Sequence, residues 1–367
     1  MKYLFLVQAE GRGHMTQAIV LSNILSNNGH EIVHTFIGKS KRRSIPDYFY
    51  EQVNSSVSVI NSPNFILDKE NKSLKLGKSI SYNARFLGTY KKSLGQIHQK
   101  VRQEKPDVLV NFYDFLGGFY FRLYSPSKLK HVCVGRQFLT LHPDYPFAAG
   151  REVEKNLYLT NNKITSQKCD KYLALSFRPY DPIKISKMVV VPPLLKSEVK
   201  KLARLPARQE SINRGFFLGY MVNDGYAEEL ISWHKYNPEV EIHCFWDRKK
   251  MPAAYSPQKN LIFHQIDASL FSEMMSKCEG YISTAGFESI CEAMYLHKPV
   301  LMIPVDGQYE QACNAIDAEL SGAGVKAEKF NASKLLEYIS DYAPNYDFRS
   351  WVDQSESIFL EELTNFS

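Results

Sequence analysis

Three stretches of this chain set reactive side chains beside small, turn-forming residues. Near the start, Gly11-Arg12-Gly13-His14 ends an apolar run and opens a helical one. The glycines permit a tight turn and close approach of a ligand, and they place an imidazole, which titrates near neutral pH, at its mouth. Further on, Asp114 follows the apolar run Pro106–Val110 and precedes Gly117-Gly118. In the last third, Thr284-Ala285-Gly286-Phe287-Glu288-Ser289-Ile290-Cys291-Glu292 joins the run Gly280–Ser283 to a helical pattern of Phe287, Ile290, Cys291, Met294 and Tyr295. A helix that opens on small residues points unpaired N–H groups and a positive dipole end outward, which suits phosphate. Glu292, about one turn further in, offers a carboxylate to two ribose hydroxyls. Each stretch also has a purely structural reading: an ordinary βα turn, a capping aspartate, a histidine at a helix start.

The elements that would carry these residues follow from periodicity. Lys2–Val7 reads as a buried strand, Thr16 to Ser26 as a helix and Glu31–Ile37 as a second strand, the opening of a doubly wound α/β domain. Further strands are expected near Val57–Ile60, Pro106–Val110, His131–Gly135, Lys171–Leu175 and Val189–Val191. His14 and Asp114 then lie beyond strand carboxyl ends on one sheet edge, where open α/β sheets bind ligands. A second series begins at Gly215–Leu218 with the loop Gly219–Gly225. It continues through Glu241–Phe245, Leu261–His264, Gly280–Ser283 and Pro299–Pro304, then Glu310-Gln311 and a helix carrying Asn314. The expected division is residues 1–195, a charged connection at 196–214, and residues 215–346, with 347–367 packing back on the first domain. A dinucleotide fingerprint is excluded, because the third glycine is missing and Val33-His34-Thr35 offers no acidic residue.

With 367 residues, 44% of them hydrophobic and 23% charged, the chain suits two globular domains. No stretch approaches 18 apolar residues, so neither a signal segment nor a membrane span is expected. The six cysteines form no C-x-x-C pair and read as reduced thiols, which points to the cytoplasm. Charge is uneven: residues 1–200 hold 30 Lys+Arg against 15 Asp+Glu, and residues 201–367 hold 15 against 24. The basic half could meet an anionic acceptor or the inner face of the cell membrane. The candidate contacts are the run Lys39, Lys41, Arg42, Arg43 and the helical pattern from Leu76 to Arg102. Its charge is scattered and no nucleic-acid module is present, so no nucleic-acid partner is expected.

Taken together, these motifs resemble the GT-B superfamily of nucleotide-sugar glycosyltransferases, in particular the UDP-glycosyltransferases and the lipid II-forming N-acetylglucosaminyltransferase. The resemblance implies two Rossmann-like, doubly wound parallel-sheet domains facing across a cleft. The family's H-G-G-W-N-S-x-x-E falls on Thr284 to Glu292 and keeps Gly286, an aromatic at Phe287, Ser289 and Glu292. In the family the serine and nearby amides hold phosphate and the glutamate holds ribose; here Thr284 replaces the leading histidine. Its D-Q-x-x-N-A falls on Glu310-Gln311-Ala312-Cys313-Asn314-Ala315, where acid and amide meet the transferred sugar. Gly11 to Ala18 matches the acceptor-side G-x-G-H-x-x-x-A.

By that resemblance His14 is the base on an acceptor hydroxyl and Asp114 the carboxylate that orients it, a pairing that would stabilise the imidazolium. Retaining members carry an acid eight residues before the ribose glutamate. Thr284 stands there, so inversion is implied. The leaving diphosphate would meet helix amides, Ser289 and the Gly219 loop. No Asp-x-Asp motif occurs, so no metal and no cofactor beyond a UDP-sugar co-substrate are expected. The rival readings are a nucleotide-sugar 2-epimerase on the same fold and a non-catalytic nucleotide-sugar-binding protein.

Overall fold

The computed structural model describes residues 1–9, 11–39, 45–63, 86–183, 187–204, 215–221, 225–248 and 250–366. In chain order the elements are β1 (Lys2–Gln8), α1 (Arg12–Asn27), β2 (Glu31–Lys39), α2 (Asp47–Gln52), β3 (Val57–Asn61), α3 (Leu87–Glu104), β4 (Val108–Phe112), α4 (Phe115–Tyr124) and β5 (Lys130–Val134). A 3₁₀ turn (Arg136–Leu141), α5 (Glu152–Thr165), β6 (Lys171–Leu175), β7 (Met188–Val191) and α6 (Ser197–Arg204) follow. Then come β8 (Phe216–Tyr220), α7 (Gly225–His234), β9 (Glu241–Trp246), β10 (Ala254–Gln258), β11 (Leu261–Gln265), α8 (Ala268–Lys277), β12 (Gly280–Ser283) and α9 (Phe287–Tyr295). The chain closes with β13 (Val300–Met302), α10 (Tyr309–Leu320), β14 (Gly324–Lys326), α11 (Ser333–Tyr338), α12 (Tyr346–Asp353) and α13 (Ser355–Thr364).

Two compact units result. The first comprises Met1–Tyr145, Ala149–Leu194 and Asp353–Ser367. Its sheet runs β3-β2-β1-β4-β5-β6-β7, with every pairing parallel. Tyr3 through Val7 are buried without interruption, as a strand covered by helices on both faces requires. The strand order reverses between β1 and β4, and ligands bind beyond the carboxyl ends at such a switch point. Those two ends carry Gly11–His14 and Asp114. The helix α13 belongs to this unit, where Tyr3 donates to the Leu363 carbonyl at 3.0 Å and Lys171 pairs with Glu362 at 2.9 Å.

The second unit comprises Pro146–Ala148 and Leu195–Val352. Its sheet runs β10-β11-β9-β8-β12-β13-β14, parallel except for the β10–β11 hairpin. The reversal falls between β8 and β12, so the Thr284 turn leaves the sheet at this unit's switch point.

Several expected boundaries move. The segment 196–214 is not simply a connection: residues 197–204 form α6, which packs on α8 and α9 in the second unit, and 205–214 lie outside the described residues. The C-terminal stretch expected to pack back on the first domain holds two helices, α12 and α13, divided between the units. The strand β10 contains Pro257 and is polar, as an edge strand tolerates, so it carries no apolar signature. In α3, Tyr90, Ser93, Leu94 and Ile97 pack into the first core while Lys91, Lys92 and Arg102 stay exposed. Its apolar stripe is therefore spent on folding. The remainder of the basic pattern, at residues 64–85 and 40–44, lies outside the described residues.

Candidate functional site

His14 is the third residue of α1, which starts from Gly11 in extended conformation with no side-chain cap. The ring is buried, 5.6 Å from Tyr113 in a stacked arrangement, and its Nδ1 lies 3.4 Å from Gln17 Oε1 one turn on. Donation from Nδ1 to that amide oxygen leaves the lone pair on Nε2. Burial lowers the imidazole from its ordinary value to about 4, against the Gln17 hydrogen bond, which raises it. A neutral imidazole with Nε2 open is a proton acceptor.

Asp114 does not form the expected pair with His14. It caps α4: Oδ1 accepts from the Leu116 N–H at 2.8 Å and from the Ser62 hydroxyl at 2.7 Å. Its own N–H donates to Asn111 Oδ1 at 2.8 Å, and Oδ2 is buried with no hydrogen-bond partner. Burial raises the carboxyl to about 6 despite those donors. The reason is positional. The cap geometry of α4 claims the carboxylate, and Gln17 already meets the histidine.

Gly38 on β2 makes room for this arrangement, since a Cβ there would fall 1.9 Å from Asp114 Oδ2 and 2.8 Å from Ser62 Cβ. Neither neighbour can move without breaking the Ser62–Asp114 bond. Gly38→Ala is therefore expected to destabilise the first unit by about 3 kcal/mol, through overpacking and a lost charge-assisted bond. Thermal unfolding should shift down by roughly 6–12 °C. An unchanged melting temperature would contradict the clash.

In the second unit, Ser283 ends β12, Ala285 adopts φ +58°, and Gly286 is the N-cap of α9 with no side-chain cap. A non-glycine residue in the left-handed region stores strain, and such strain gathers at functional turns. Tyr113, at φ +63°, is the matching case just before Asp114. The turn leaves the first N–H groups of α9 directed past the sheet. Ser289 Oγ donates to the Gly286 carbonyl at 3.2 Å and lies 3.5 Å from Ser283 Oγ. Glu292, on the same helix face three residues on, is 6% exposed. Its Oε1 lies 3.5 Å from the Lys196 ammonium. That lysine, Gln17 and Ser62 escaped the sequence reading. Only Gln17 had a usable signal, its three-residue spacing from His14 within a helix.

The other expected residues divide. Thr284 is buried beside the turn. Glu310 lies in the first turn of α10, and Gln311 Oε1 accepts from the Val305 N–H at 2.9 Å. Asn314 is buried and donates to the Ala285 carbonyl at 3.4 Å, so it braces the strained turn. Gly219 lies inside β8, not on a ligand loop: a Cβ there would meet Cys244 Sγ at 2.7 Å, and strand packing accounts for the glycine. Residues 222–224 of the loop beyond lie outside the described residues.

Among the described residues one cluster, His131, Cys133 and Cys169, has metal-ligand types within 4.8 Å of one another. Cys169 Sγ donates towards the carbonyls of Lys171 at 3.0 Å and His131 at 3.4 Å, and burial raises the Cys133 thiol. The Cys169 sulfur is thus engaged with two backbone carbonyls, and Phe121 stacks on His131 at 4.1 Å. The cluster reads as core. A surface depression of about 640 Å³ beside Lys171 and Phe366 contains none of the expected residues.

Comparison with known proteins bears on the fold and then on the family. A search of curated protein sequences found no match. Among solved structures, the spinosyn rhamnosyltransferase SpnG is 13% identical with TM-score 0.62, covering 100% of both chains. The UGT2 of Phytolacca americana, complexed with UDP-2-fluoro-glucose and pterostilbene, is 12% identical with TM-score 0.62, covering 98% of this chain and 96% of that one. The glycotransferase of kitacinnamycin is 13% identical with TM-score 0.61, covering 98% and 95%. At such low identity these likenesses speak for the fold, which is GT-B: two α/β units, each built on a parallel-dominated sheet. The sequence model described as "Glycosyl transferase family 1" matches residues 1–342, across both switch-point turns, and on that match the chain belongs to this family and is a glycosyltransferase.

Proposed function

We propose that this glycosyltransferase moves a sugar from a UDP-linked donor to an acceptor hydroxyl with inversion at the anomeric carbon and without a metal. The observation that carries the reading is the second unit's switch-point turn. There an uncapped α9 N-terminus, Ser289 and the buried Glu292 share one face, the set needed for a phosphate and a ribose. A structurally similar plant enzyme holds a UDP-sugar analogue, which supports the choice of nucleotide. His14 Nε2 would take the proton as the acceptor oxygen attacks C1. The C1–O bond to the diphosphate breaks, and the leaving charge falls to the α9 amides and Ser289. Gln311 and Glu310 are assigned to the sugar hydroxyls.

A thermal-shift panel of nucleoside diphosphates tests the donor half: UDP should raise the melting temperature more than ADP, GDP or CDP do. Equal shifts, or none, would remove the UDP assignment. Once an acceptor is found, turnover should persist in excess chelator, and its complete loss would refute metal independence.

For the acceptor we propose a lipid or lipid-linked hydroxyl, with the basic N-terminal half meeting an anionic bilayer. Leu87 and Leu123 are 66% and 68% exposed, and Lys91, Lys92 and Arg122 on the same two helices are exposed as well. Among the described residues no helix is long and apolar enough to cross a membrane, so contact would be peripheral. Flotation with anionic vesicles but not neutral ones is the expected result; equal recovery from both would leave a soluble acceptor.

A further inference from the structure

Lys196 lies immediately before α6, a helix whose body packs on α8 and on α9, the helix that carries Ser289 and Glu292. Its ammonium is thus delivered to the candidate donor face by the fold of the second unit itself. It stands 3.5 Å from Glu292 Oε1, with the lysine side chain 33% exposed and the glutamate side chain 8% exposed. Ser289 and Glu292 are three residues apart on one helix and so neighbours on its surface. The cation is thus held by the carboxylate proposed to take the ribose, one turn along the helix from Ser289. At 3.5 Å the contact is a loose ion pair.

We infer that Lys196 is a nucleotide-binding residue that couples the ribose and phosphate parts of the donor site. The inference rests on the donor reading above. Before donor arrives, the ammonium pairs with the Glu292 carboxylate, whose oxygens are the acceptors that two ribose hydroxyls require. When donor binds, the same charge lies beside a diphosphate, adding an attraction that the α9 amides alone do not provide. The ligand class is a nucleoside diphosphate with an intact ribose. The lysine acts on charge, so it discriminates UDP from uridine.

Calorimetric titration of the full chain with UDP and with uridine, at fixed ionic strength, tests this. K196Q should weaken UDP about ten-fold or more, the worth of one charge-assisted contact, and uridine by about three-fold or less. K196R, which keeps the charge, should restore most of the UDP affinity; a merely structural lysine would show neither the selectivity nor the rescue. If K196Q binds UDP as the unaltered chain does, or loses UDP and uridine equally, while E292Q still weakens UDP, the role of Lys196 is overturned and the donor site stands. If E292Q and the unaltered chain bind UDP equally, the donor reading falls and this inference falls with it.

Discussion

His14→Ala is expected to lower kcat by about 10²–10⁴-fold, the usual worth of a positioned general base, while leaving UDP affinity unchanged. The two readouts separate because His14 belongs to the first unit and the proposed nucleotide contacts to the second. The ring is held by Gln17 and Tyr113, so its loss should cost little stability beyond a small buried void. A variant with unchanged kcat would remove the base assignment. The pH profile is a second check. The acceptor proton can go only to neutral imidazole, and burial lowers this one to about 4. Therefore kcat/KM should stay level from pH 8 to about 5 and fall on the acid side of that, where an ordinary histidine would lose activity below 6.5. Stability carries the same sign. A histidine lowered on folding contributes its full share above 6.5, and that share is lost as pH falls through 4.

Glu292→Gln should weaken UDP by about 10–100-fold, the range expected when hydrogen bonds to a charged acceptor are lost. The carboxylate is nearly buried, so water cannot replace the missing charge cheaply, and Lys196 is left beside a neutral amide. The sharper measurement compares UDP with 2′-deoxy-UDP. The unaltered chain should prefer the ribose form by about ten-fold, and E292Q should bind the two alike. A preference that survives the substitution would move ribose recognition to another residue. Ser289→Ala, by contrast, should weaken UDP without altering the ribose preference, because its hydroxyl lies near the α9 N-terminus, the proposed phosphate site.

What the linear sequence determined here is local. The strand runs, the helix after Gly286 and the placement of His14, Asp114 and Thr284 beyond strand ends follow from periodicity and turn chemistry, which act over a few residues. The strand order of each sheet was not legible, nor was the polar edge strand with Pro257. Both depend on which segments pair across long separations. The same limit applies inside the site. A carboxylate at Asp114 could be read from the sequence as either a cap or a histidine partner; Ser62, fifty-two residues away, and the glycine wall at Gly38 decide for the cap. A glycine at 219 looks like a ligand loop until the neighbouring strand brings Cys244 against it. Lys196 meets Glu292 only because α6 packs on α9. Side-chain types and their local spacing are inherited directly from the sequence. The partner that each side chain takes is decided by packing, because burial drives most polar groups to bond with what the fold puts within about 3 Å of them.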